Sequence, residues 1–157
     1  MRREKYKEIR DDLFTKYGEF LCEDARQDLN AATNIYELVN VLHKYVWDIW
    51  KKDFSGTRFI RKWFADELEV FNACGCYLDQ NIALTDPDKK SIICFGRCYL
   101  TVILSKPTIT HFLLQDNTNM NLCTFGTCTA DIRIKNAAKC QVLNKSNTSR
   151  IKIRSNK

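Results

Sequence analysis

Two prolines, five glycines and two histidines are spread over 157 residues. So little proline and glycine excludes a collagen-like or low-complexity chain. No apolar run approaches the roughly 20 residues that a membrane-crossing helix needs. The N-terminus, MRREKYKEIRDD, has no apolar segment of the kind a secretory signal carries. A soluble, cytoplasmic protein is expected, with no membrane partner. The eight cysteines include no paired C-x2-C set of the sort structural zinc prefers. In a cytoplasmic chain they are expected to stay thiols. Cys74 and Cys76, beside Gly75, are the pair with the best claim to a metal or redox role. No glycine-rich phosphate loop and no zinc-protease helix motif is present. Neither His43 nor His111 has a serine, cysteine or carboxylate at a spacing that sets up a nucleophile and base. These absences point away from an enzyme and leave no catalytic residue, metal or cofactor to name.

Acidic residues are also scarce in one half. From Met1 to Phe71 thirteen Lys/Arg face fourteen Asp/Glu, whereas from Asn72 to Lys157 the balance is twelve to five. After Asp131 there are eight basic residues and no acidic one. Such a stretch suits a polyanion or an acidic protein face. The candidate binding residues are Arg133, Lys135, Lys139, Lys145, Arg150, Lys152 and Arg154. A secondary basic spot is formed by Arg58, Arg61 and Lys62.

Residues 1–71 are expected to form a helical head of about three helices. Tyr6, Ile9, Leu13, Tyr17, Phe20 and Leu21 make one apolar stripe over Arg2–Asn30, with Gly18 a plausible kink. Asn34 followed by Glu37 resembles a helix-start box. A second helix carries Ile35, Leu38, Val39, Leu42, Val46, Ile49 and Trp50. Ser55-Gly56-Thr57 is expected to break it. The third, from about Thr57 to Phe71, carries Phe59, Ile60, Trp63, Phe64, Leu68 and Phe71.

Residues 72–157 change period. Ile82, Ile92, Val102, Phe112, Leu122, Ile132 and Val142 share one column in rows of ten. Flanking inward columns stand two residues to either side, as on one face of a strand. A further column is small: Cys98, Thr108, Thr118, Cys128, Ala138. Phe95-Gly96-Arg97-Cys98 recurs as Phe125-Gly126-Thr127-Cys128, and glycine in that column suits a positive φ. The expected fold is α+β: a helical cap on a short β-solenoid with a ten-residue row repeat, two rows per coil and parallel stacking. An antiparallel β-meander is the alternative. The last row, Ser149, Ile151 and Ile153, slips by one residue.

The run Cys128-Thr129-Ala130-Asp131-Ile132-Arg133-Ile134 resembles the rows of small helical-head and β-solenoid proteins encoded by bacteriophages and mobile elements of Bacteroides-like gut bacteria. The resemblance covers roughly Ile60 to Ile153 and carries over no functional residue. It implies a phage protein acting in the host cell as an inhibitor of host machinery, such as an anti-defence or anti-CRISPR protein. Its partner would be a host protein or nucleoprotein. Binding of RNA or DNA backbone by the basic coils is one alternative. A structural or decoration role in a phage particle is another. An uncovered solenoid end also allows end-to-end self-association.

Overall fold

The computed structural model describes residues 2–50 and 57–156, with side chains at 5–45 and 57–155. Two compact units divide the chain, Met1–Cys74 and Gly75–Lys157. Among the described residues no helix is long and apolar enough to cross a membrane.

The first unit holds α1 (Arg2–Tyr17), a 3-10 turn (Gly18–Phe20), α2 (Glu23–Ala31), α3 (Ile35–Trp50), α4 (Thr57–Phe64) and α5 (Leu68–Ala73). That is five α-helices where the periodicity suggests about three, because two of the apolar stripes are interrupted. Gly18 opens the first break. Arg26 then holds the corner by donating to the carbonyls of Leu21 and Gly18. The second break follows Phe64, where the Glu67 carbonyl accepts from Phe71 to start α5. At the start of α3, Asn34 Oδ1 accepts from the Glu37 N–H at 2.9 Å. The Glu37 carboxylate reaches back to Thr33, one residue earlier than a standard box, and accepts from its N–H and hydroxyl at 2.6 and 2.9 Å. Ile9, Leu13, Leu29, Leu38, Phe59, Phe64 and Phe71 are buried, with the Phe64 and Phe71 rings stacked 5.1 Å apart. The expected break at Ser55-Gly56 lies outside the described residues, as do the side chains of Val46, Ile49 and Trp50.

The second unit is a β-solenoid. Its strands are β1 (Cys76–Leu78), β2 (Asn81–Thr85), β3 (Ser91–Phe95), β4 (Tyr99–Leu104), β5 (Ile109–Leu114), β6 (Asn119–Thr124), β7 (Thr129–Lys135), β8 (Lys139–Asn144) and β9 (Arg150–Asn156). Odd strands form one sheet in the order β1-β3-β5-β7-β9, and even strands form the other, β2-β4-β6-β8. Every pairing is parallel, so the meander is excluded. Partners in the middle coils stand twenty residues apart, as in Leu100 with Met120 and Phe112 with Ile132. Two ten-residue rows therefore make one coil, and like stacks on like. The core runs through Ile92, Phe112 and Ile132 from one sheet and Leu100, Val102, Met120 and Leu122 from the other.

The first coil is shorter. Asp79 and Gln80 turn its corner in two residues, where Gln115–Thr118 take four. Ile82 consequently stacks on Leu100, and it is Leu84 that stacks on Val102. The last coil is longer by one. Leu122 pairs with Val142 but Cys123 with Asn144, and Ile132 pairs with Ile153. One corner repeats a left-handed residue at Asp79, Gly96, Asp116 and Asn136, with φ of 50, 74, 61 and 62°. Aspartate and asparagine tolerate that region better than other side chains. Gly126, with φ of 71°, serves the opposite corner. The two Phe-Gly-x-Cys segments are thus one and a half coils apart.

Candidate functional site

The cations expected to form one surface are distributed over three places. On β9 the alternation Arg150-Ile151-Lys152-Ile153-Arg154 sends Arg150, Lys152 and Arg154 to the outer face of the odd sheet. All three are exposed, and none forms an ion pair among the described residues. Register sets Arg150 beside Thr129, Lys152 beside Asp131 and Arg154 beside Arg133. Arg133 and Lys135 belong to the same face but are half-buried, so they are less open than the outward columns imply. Lys139 begins β8, on the other sheet. There its row continues through Asn119, Tyr99 and Asn81. Lys145 lies in the turn between β8 and β9. The secondary spot is in the helical unit, on α4. Lys62 there is held 3.4 Å from Asp12 and 4.6 Å above the Trp63 ring. The same Asp12 carboxylate accepts from Trp63 Nε1 at 2.7 Å. That hydrogen bond, helped by Lys62 and Lys16, holds the Asp12 carboxyl below its usual range. Lys62 therefore links α4 to α1 from an exposed position, and Arg58 and Arg61 are exposed as well.

The last coil is also where the solenoid core opens. β8 and β9 end their sheets. Ile132 and Leu122, one coil earlier, are fully buried, whereas Ile153 and Val142 above them are 46% and 36% exposed. Leu143, displaced by the irregular register of β8, is 57% exposed. The Arg150 N–H donates to the Cys128 carbonyl at 2.9 Å. Backbone groups of alternate residues in a strand point to opposite sides. Arg150, Lys152 and Arg154 therefore bond β7, and Ile151 and Ile153 turn their N–H and C=O groups to the free edge.

The thiols behave as core. Cys74, Cys76, Cys94, Cys98 and Cys128 are buried, Cys123 and Cys140 are half-buried, and Cys22 is exposed. Burial drives the Cys94 thiol well above its ordinary value and pushes Cys140 up to about 11. Cys98 is lowered by a hydrogen bond from Cys94. Cys74 directs its Sγ to the Tyr36 carbonyl at 3.9 Å. Among the described residues no group of three His, Cys, Asp or Glu side chains is placed to hold a metal.

One row was missed from sequence. Ser91, His111, Asp131 and Lys152 occupy successive rungs of the odd sheet, with His111 Nδ1 at 3.5 Å from an Asp131 oxygen. The signal was the twenty-residue spacing of the first three, visible only once the coil length is known. A hydroxyl, an imidazole and a carboxylate in line invite comparison with a hydrolytic triad. A sheet surface, however, spends its amides on the ladder, as the His111 N–H does on the Lys90 carbonyl at 2.7 Å. The row is a polar ladder that runs beside the β9 cations, with Lys152 as its last rung.

Compared with known proteins, the chain matches no family model, no curated protein and no solved structure.

Proposed function

We propose that this chain is a non-enzymatic binding protein that works through its solenoid, with the outer face of β9 as its contact surface. The supporting observation is the exposed row Arg150, Lys152 and Arg154, on one face and without an ion partner among the described residues. Soluble surfaces ordinarily intersperse both signs. A single-sign row raises the local potential and steers an oppositely charged partner. The partner is a host protein or nucleoprotein in the cytoplasm of the host cell, in keeping with the resemblance to phage-encoded proteins. Inhibition by occupying a surface of host machinery, including a defence complex, needs no reacting group. Tagged protein passed over host lysate tests this, with and without nuclease. A partner retained after nuclease and lost with Arg150→Glu/Arg154→Glu supports the reading. Equal retention by that variant removes it.

The same cations favour a second reading, in which β9 tracks a nucleic-acid backbone. No aromatic side chain lies among the outward residues of β7 and β9, which argues against stacked single strands. A gel shift at about 50 and 200 mM salt separates the two readings. Backbone binding should fall steeply between them.

A further inference from the structure

We infer that the free edge of β9 accepts an extended acidic segment of the partner as an added strand, its acidic residues alternating with apolar ones. This rests on the binding reading above and names the chemistry of the partner. Three features of the edge converge on it. The N–H and C=O groups of Ile151 and Ile153 face away from β7. The inward side of the same edge is apolar and incompletely covered, with Ile153 46% exposed. The outward side carries Arg150, Lys152 and Arg154.

Natural sheets blunt an edge with proline, a bulge, an inward-pointing charge or charged side chains along the edge strand. β9 has only the last of these, in Arg150, Lys152 and Arg154, and a row of one sign repels another basic edge while attracting an acidic one. Its pairing with β7 is regular from Thr129–Arg150 to Lys135–Asn156, and its charges all lie on the outer side. They therefore leave the apolar rung open to a newcomer and select its outer side chains. The β8 edge is less suited, because its register breaks at Leu122/Cys123.

Charge also decides between occupants. Two copies meeting edge to edge, antiparallel and centred on Lys152, would set Lys152 against Lys152 and Arg150 against Arg154. Like charges directly opposite destabilise such a pair, whereas an acidic strand makes each contact attractive. Strand addition takes affinity from the main chain and specificity from alternate side chains.

Fluorescence anisotropy tests the inference with a labelled, end-blocked peptide of alternating Glu and Val. Its comparison peptide has the same composition with the glutamates contiguous. A poly-U RNA is the third probe. The alternating peptide should bind about tenfold more tightly than the block peptide. Ile153→Pro removes the outward N–H while sparing the ladder to β7, and should abolish the preference. Ile153→Val should keep it. Arg150→Glu/Arg154→Glu should shift the preference to an alternating Lys and Val peptide. Equal binding of the two acidic peptides overturns the inference, as does binding of RNA alone; both leave the cationic face as the contact surface. A dimer in sedimentation that Ile153→Pro dissolves gives the edge to a second copy and also overturns it. If Arg150→Glu/Arg154→Glu binds every probe as the unaltered protein does, the inference and the binding reading fall together.

Discussion

Ser105 donates both its backbone N–H and its hydroxyl to Asp86, one coil earlier, at 2.7 and 2.6 Å. Lys106 adds a third donor at 3.1 Å. These bonds, the Ser105 hydroxyl first, lower the Asp86 carboxyl from its usual 3.8. The folded value lies below the unfolded one. The stabilisation is therefore complete above the unfolded value and disappears as pH falls through the folded one. Asp86→Ala should cost about 1 kcal/mol near neutral pH. Urea unfolding repeated down the pH scale should show the gap narrowing in acid to the part set by the left-handed φ of 43° at Asp86, which alanine tolerates less well than aspartate at any pH. A constant gap at every pH would mean that the carboxylate charge plays no part in this corner.

Glycine substitutions should separate the corner from the helical head. At Gly126 φ is +71° and an added Cβ would lie 3.2 Å from the Ser105 carbonyl oxygen. Gly126→Ala should lower stability by about 1–2 kcal/mol. At Gly18 a Cβ would meet only the Phe14 ring at 3.9 Å, and Gly18→Ala should be neutral or stabilising by up to about 1 kcal/mol. Thermal unfolding should show a lowered midpoint for Gly126→Ala and an unchanged or raised one for Gly18→Ala.

The opening of the core at its last coil can be measured by truncation. Phe112 is fully buried between coils, and Phe112→Ala should cost about 3–5 kcal/mol. Val142 is 36% exposed in the final coil, so Val142→Ala should cost less than about 1 kcal/mol. Comparable losses in urea titrations would mean that the end is covered in solution.

Thiol reactivity should follow exposure. Cys22 is the exposed cysteine among eight free thiols. Iodoacetamide at neutral pH should label it first, and Cys94, buried and driven up, should resist until the protein unfolds. Peptide mapping by mass spectrometry reads the order. Early labelling of Cys94 would show that its coil opens readily.

The stacking was legible because inward residues keep one parity for whole coils, and columns such as Val102 over Leu122 survive intact. Its direction was only favoured, because the aligned small column suits a path repeated in the same sense, while an antiparallel meander keeps the same inward parity; the parallel pairings decide it. The first coil was not legible. A two-residue corner at Asp79-Gln80 displaces Ile82 to Leu100, and nothing local marks a corner as short. Helix number was overestimated in length and underestimated in count, because apolar spacing continues through Gly18 and past Phe64 even though the backbone turns. The cationic site was only partly readable. Composition locates the basic stretch, but sheet assignment decides that Lys139 and Arg150 belong to different faces. Tertiary packing decides that Lys62 is committed to Asp12 and Trp63.

The twenty-residue period also makes the coil a unit of height. Removing one complete turn, or inserting one, would shorten or lengthen the stack by a single strand spacing, about 4.8 Å. The corners would still meet their kind, and the cation row would keep its place at the top. A residue gained or lost inside a strand would turn the oily side of the rest of that strand outward. The one extra residue of the last coil is instead taken up at the end of β8, where Cys123 pairs with Asn144, and Ile151 and Ile153 still stack on Ala130 and Ile132. The stack therefore grows cleanly by whole storeys, and smaller changes have to be absorbed at a corner or a strand end.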